Sequence, residues 1–182
     1  MEIIKTCFSG LVVIKPDLFT DHRGYFFESF STVTYKNSGI SFDPVQDNES
    51  KSARGVVRGL HYQLRPYDQA KLIRVVEGKI YDVALDLRKD SPTYGKWYGI
   101  ELDSGAKTQL FIPRGFAHGF SVLSETAIVL YKVDNVYNRG AERGILLNDP
   151  ALGIDWKLGG LETLVSNKDL MNPLFRNAEN NF

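Results

Sequence analysis

The chain has 182 residues and a mass of 20.5 kDa, for which surface scaling gives roughly 8,900 Å² exposed after folding against about 29,700 Å² extended, enough burial for one real core. Twenty-two Lys plus Arg balance twenty-two Asp plus Glu, and no block of like charge concentrates them, which excludes a nucleic-acid footprint built on basic excess. With 43% hydrophobic and 24% charged residues the composition is that of a globular chain, far from the disordered and collagenous extremes.

No apolar run approaches the length of a membrane span, so no membrane association is expected. The start, MEIIKTCFSG, has neither a basic leader nor an apolar core, and a cytoplasmic location is expected. Cys7 is the sole cysteine, which excludes an internal disulfide or a thiolate-rich metal cluster. No reactive-cysteine motif surrounds it, and a buried structural thiol is expected. There is no repeat, low-complexity stretch or Pro/Ser-rich linker, so one domain over 1–182 is expected.

In chain order, period-two alternation predicts strands over 3–14, 25–29, 56–63, 71–76, 79–88, 97–102, 108–112, 118–123 and 128–133. Within 79–88, Tyr81, Val83, Leu85 and Leu87 share one face and Ile80, Asp82, Ala84 and Asp86 the other. Glu77-Gly78-Lys79 reads as the tight turn before it. Helix is scarce: a short piece over 32–37, and a turn or two near Leu161 or Asn167. So many short strands predict an all-β sandwich or barrel, which hides most strand edges. The extended N-terminal segment is long enough to lie on another sheet, including that of a second subunit. The Asn-rich tail, 173–182, is expected to fray unless it docks on a partner.

The chemistry gathers around two of the three histidines, His22, His61 and His118. In RGLHYQ (58–63), alternation aligns Val57, Gly59, His61 and Gln63, leaving open space beside the imidazole. Arg58 falls on the opposite face. It can share a site with His61 only through a bulge at Gly59 or a place at the barrel mouth. FIPRGFAHGF (111–120) carries a P-x-G-x-x-H arrangement that resembles the second motif of the cupin superfamily, which implies a double-stranded β-helix, or jelly-roll, barrel. In metal-binding cupins that histidine joins an HxH pair and a glutamate. Here the first motif reads His61-Tyr62-Gln63, and the next strand offers Lys71, whose ammonium would repel a cation. A metal-free site with no cofactor is expected, in which Lys71 stabilises negative charge. Alternation leaves open whether Lys71 points inward with Ile73 and Val75 or outward with Leu72 and Val76 buried instead.

DHRGYFFE (21–28), QDNES (46–50), RGLHYQ, the block 66–97, IPRGFAHGF, LYK (130–132), NDP (148–150), GIDW (153–156) and SNKD (166–169) occur in that order. The ordered set resembles the dTDP-4-dehydrorhamnose 3,5-epimerase family over about 3–169. The resemblance implies a homodimeric jelly-roll isomerase in dTDP-L-rhamnose biosynthesis. Its substrate, dTDP-4-dehydro-6-deoxy-D-glucose, would be inverted at C3 and C5 through enolates. His61 would be the base, oriented by Asp169, and Tyr131 the acid, with Tyr137 as rival. As a phenol of high pKa the acid needs cationic neighbours.

By the same resemblance Lys71, with Arg58, would hold the C4 oxyanion or the sugar hydroxyls. Arg23 and Glu28 would contact the dTDP portion, Arg23 through its forked donors, and Gln46, Asn48, His118, Glu142 and Lys168 are further contact positions. For Phe26 and Phe27 core packing is expected over stacking on thymine. The competing readings are a single-carbon epimerase or ketoisomerase on the same substrate, a metal-dependent cupin, and a non-catalytic sugar-binding cupin.

Overall fold

The alternating segments form antiparallel sheets in a computed structural model that describes residues 1–182. The strands are β1 (Glu2–Lys5), β2 (Val12–Lys15), β3 (Phe19–Asp21), β4 (Gly24–Phe26), β5 (Gln46–Ala53), β6 (Val57–Gln63), β7 (Lys71–Glu77), β8 (Lys79–Asp86), β9 (Trp97–Asp103), β10 (Gln109–Ile112), β11 (Phe116–Val122), β12 (Thr126–Val133) and β13 (Glu142–Gly144), with two helices, α1 (Thr32–Asn37) and α2 (Asn167–Leu170). A six-stranded sheet of order β1-β2-β10-β7-β12-β5 faces a five-stranded sheet of order β13-β6-β11-β8-β9, and β3-β4 stands apart as a two-stranded hairpin. This is the jelly-roll barrel of the cupin class.

The central strands are apolar on both faces because three layers cover them. Val13, Ile73, Val75, Leu110 and Val129 of the first sheet meet Ile80, Ala84, Leu102, Phe120 and Val122 of the second in the barrel interior. Tyr81, Val83, Leu85 and Leu87 instead pack outward under Ile145, Leu147, Leu152 and Trp156. Outside the first sheet, Leu72 and Phe111 pack with Tyr35 of α1, Ile40 and Phe42. The two faces of β8 thus serve two cores, and Asp82 and Asp86, both wholly buried, are the polar residues on the interior side.

Several expectations change. The stretch 3–14 is two strands, not one: the chain reverses where Thr6 Oγ1 donates to Leu11 O (2.8 Å), and Ile3 pairs with Ile14 in the same sheet. Cys7 is exposed, not buried, because it sits in that reversal. Phe26 is 70% exposed, against the expectation of core packing, because the β3-β4 hairpin leaves the barrel. Strand β5 escaped notice because its inward face is polar as well as its outward one.

The tail does not fray. Asn180 Nδ2 donates to Leu87 O (2.6 Å), Arg65 N to Asn181 Oδ1 (3.0 Å), and the Arg65 guanidinium lies 5.5 Å from the Phe182 ring centroid. Phe182 also packs against the outer core of the second sheet.

Candidate active site

The site begins with a mismatch of register. Strands β11 and β6 pair His118 with His61 but Phe120 with Arg58, so two steps on β11 span three on β6. The extra residue lies at Gly59-Leu60. Gly59 has φ +120°, and a Cβ there would meet Gly119 Cα at 2.5 Å, so only glycine fits. This bulge turns Arg58 and His61 into one cavity, which resolves the conflict that strict alternation poses.

The cavity holds about 430 Å³ between the sheets, and its lining includes Gln46, Asn48, Arg58, His61, Lys71, His118, Tyr131 and Glu142. His61 Nε2 lies 2.5 Å from Asp169 Oδ1. Asp169 is set by α2, whose N-cap Ser166 accepts the Asp169 N–H (3.1 Å). Burial pushes the Asp169 carboxyl up, but the bond and charge of His61, the Gly59 N–H and the Ser166 hydroxyl outweigh it and hold the group below the usual range. It is thus an anion at neutral pH. It accepts the His61 Nε2–H, which leaves Nδ1 as the ring nitrogen free for proton transfer.

Lys71, the first residue of β7, points inward and is 9% exposed. It has no ion-pair partner. Burial lowers its pKa to about 8, against the opposing pull of the Asp82 and Glu142 carboxylates. Beside it, His118 Nε2 lies 2.9 and 3.1 Å from the two oxygens of Asp82. Burial holds the His118 imidazole below its usual range despite that carboxylate, so a neutral ring donates Nε2–H to Asp82.

Tyr131, on β12 opposite Asn48, has its phenol raised by burial, with the Arg58 cation lowering it and Glu142 raising it further. Arg58 is the cationic neighbour an acid phenol needs. Tyr137 differs: its OH donates to Glu142 Oε2 (2.8 Å), and the bond raises its pKa. Lys168 Nζ meets the same oxygen (2.7 Å). For Glu142, burial raises the pKa, but the Lys168 and Tyr137 bonds and the Lys168 and His61 charges leave the carboxyl lowered.

Ten of the twelve candidate residues therefore gather at the cavity, Asp169 behind His61 and Lys168 at the rim. Arg23 and Glu28 do not. Both are exposed, and Arg23 is forked onto Asp21 of its own hairpin (2.5 and 3.1 Å). Sequence reasoning missed Asp82, whose signal was a carboxylate inside an apolar strand. It also missed Ser50, which shares the inward face of β5 with Gln46 and Asn48.

Gln63 stands where a metal-binding cupin has its second histidine. It donates to Tyr67 O (2.7 Å) and Val136 O (3.2 Å) and accepts from Asn138 N (2.6 Å), which ties the loop bearing Tyr137 to β6.

A jelly-roll barrel whose cavity gathers a histidine–aspartate pair, an inward lysine and a phenol has the make-up of a cupin-type acid–base isomerase. The family model described as dTDP-4-dehydrorhamnose 3,5-epimerase matches residues 5–177. The chain is 47% identical over 180 residues to the dTDP-4-dehydrorhamnose 3,5-epimerase of Shigella flexneri, covering 98% of each.

The crystal structure of the Elizabethkingia anophelis dTDP-4-dehydrorhamnose 3,5-epimerase superposes with a TM-score of 0.91 at 46% identity, over 97% of both chains. A Legionella pneumophila dTDP-6-deoxy-D-glucose-3,5-epimerase, in complex with dTDP-4-keto-L-rhamnose, gives 0.91 at 45%, over 95% of this chain and 92% of that one. The chain belongs to the dTDP-4-dehydrorhamnose 3,5-epimerase family, a family of isomerases.

Proposed function

We propose that this chain inverts C3 and C5 of dTDP-4-dehydro-6-deoxy-D-glucose to give dTDP-4-dehydro-L-rhamnose, by proton transfers between His61, enolate intermediates and Tyr131. The observation that carries the mechanism is one cavity holding His61, backed by Asp169, together with Lys71 and Tyr131. The C4 ketone acidifies the hydrogens on C3 and C5. His61 Nδ1 takes one of them, and the imidazolium is stabilised by Asp169. The electron pair moves onto the C4 oxygen, where the Lys71 ammonium and Arg58 guanidinium compensate the charge. Tyr131 returns a proton to the opposite face, and the second inversion repeats these steps at the other carbon. Each inversion adds a proton to His61 and takes one from Tyr131, so both must exchange with solvent before the next.

The residues do not suit a divalent ion. Gln63 occupies the second histidine position, Lys71 brings a cation into the cavity, and no three His, Cys, Asp or Glu side chains converge. The enolate charge therefore falls to Lys71 and Arg58.

Gln46, Asn48, His118, Glu142 and Lys168 line or rim the cavity and contact the substrate. Arg23 and Glu28 serve the dTDP half from the hairpin of a second protomer in a homodimer. No helix is long and apolar enough to cross a membrane, and the proposed site of action is the cytoplasm, on a freely diffusing nucleotide sugar.

Proton NMR of the chain with the ketosugar in deuterated water tests the reading. Loss of both the C3 and C5 signals is expected, and His61→Asn is expected to slow it by at least about 10²-fold while free dTDP still binds. Loss of one signal selects a single-carbon epimerase; loss of neither overturns the reading.

A further inference from the structure

Two buried side-chain polar atoms in the molecule lack a hydrogen-bond partner, Ser50 Oγ and Asn172 Nδ2. Only Ser50 lines the cavity. A buried hydroxyl carries a donor and two acceptor lone pairs, and leaving them unmet costs stability, so such a group in a functional cavity calls for an account.

Its neighbours on the inward face of β5 are all engaged. Gln46 Nε2 donates to Asn48 Oδ1 (2.8 Å), and Ser52 Oγ accepts from Arg58 Nε (2.9 Å). The face is a polar comb in which Ser50 alone is free. Its register is equally informative: Asn48 stands opposite Tyr131 and Ser50 opposite Val129. Ser50 is therefore the diagonal neighbour of Tyr131 on one sheet face, within side-chain reach. It lies one inward position from the Ser52 that holds Arg58.

We propose that Ser50 is a substrate-binding, specificity-determining residue whose hydroxyl pairs with a hydroxyl of the hexose ring beside the carbon that Tyr131 protonates. This rests on the epimerase reading. A serine hydroxyl both gives and accepts, as a sugar hydroxyl does, so the pair satisfies both groups once water is expelled. Gln46 is tied to the backbone N–H of Tyr137 (3.2 Å) and so belongs to the rim. Ser50 lies two inward positions farther along β5, at the sugar end. The contact orients the ring against Tyr131 and does not involve the nucleotide.

The test compares wild type with Ser50→Ala by three readouts: kcat/KM for dTDP-4-dehydro-6-deoxy-D-glucose, the Kd of free dTDP, and thermal midpoint. Alanine removes one neutral hydrogen bond to substrate, so kcat/KM is expected to fall about 5- to 20-fold. The Kd of dTDP is expected to stay within about twofold of wild type. Because the unliganded protein loses only an unpaired group, its midpoint should hold or rise, a combination that a structural role would not give. An unchanged kcat/KM, a loss matched by weaker dTDP binding, or a loss accompanied by a lower midpoint would each overturn the proposal. Wild type that exchanges neither C3 nor C5 hydrogen would instead fell the epimerase reading itself, and this one with it.

Discussion

Lys71 links activity and stability to pH with opposite signs. Its folded pKa is about 8 against an ordinary 10.5, so as pH rises through 8 the folded protein loses the cation proposed to compensate the enolate, while the unfolded chain keeps its proton. Turnover should fall above about pH 8. Between about 8 and 10.5 the unfolded chain binds the extra proton, so this group's contribution to stability rises with pH. The Tyr131 phenol, raised from its ordinary 10.0, titrates above that point, which leaves the limb near 8 to Lys71.

The carboxylates that pull on the ammonium are Asp82 from β8 and Glu142 from β13. Asp82→Asn removes the larger carboxylate pull and should move the alkaline limb of kcat to lower pH. A limb that stays in place would separate Asp82 from Lys71. Residue type and strand pattern singled out His61 and Lys71, whereas Tyr131 entered only through the family resemblance. The orienting carboxylate of His61 lies 108 positions away, and no local pattern in the chain reports such a pairing; it came from the resemblance alone.

Elements were legible where one face differs from the other. The alternation of β8 was readable although both faces are buried, because the apolar run is interrupted only by Asp82 and Asp86. In β5 the pattern of burial alternates along the strand, yet both faces are polar, so hydrophobic periodicity had nothing to register. The joined reading of 3–14 failed because Thr6 and Gly10 make a reversal between two apolar runs that share a period.

Gly59 is the element-scale device that matters most for the site. Its φ of +120° and the 2.5 Å approach to Gly119 Cα leave no room for a side chain. Gly59→Ala should therefore cost about 2 kcal/mol or more of stability and lower kcat further, since Arg58 and His61 reach one cavity only through this bulge. A denaturant midpoint within about 0.5 kcal/mol of wild type with full activity would show that the bulge is dispensable.

At the scale of the molecule, a single chain gathers the proposed acid–base residues but leaves Arg23 and Glu28 outside. The hairpin that bears Arg23 and leads to Glu28 forms a sheet of its own, and it exposes Phe19 (63%), Tyr25 (58%) and Phe26 (70%). Contiguous exposed aromatics of this kind mark an interaction surface. In a two-fold dimer the same hairpin would act reciprocally, each protomer supplying Arg23 and Glu28 to the other's cavity. The expected mass in solution is about 41 kDa, twice 20.5 kDa, and Phe26→Asp should shift it toward the monomer and weaken dTDP binding.

Subunit mixing decides the direction of donation. Arg23→Ala and His61→Asn homodimers should each be impaired, yet a reassembled mixture contains hybrid dimers in which one cavity has both an intact His61 and its partner's intact Arg23. With random pairing, half the dimers are hybrids with one complete cavity each, so the mixture should recover about a quarter of wild-type activity. If Arg23 served its own chain, each hybrid cavity would carry one defect, Arg23→Ala in one and His61→Asn in the other, and the mixture would show no more than the average of the two parents.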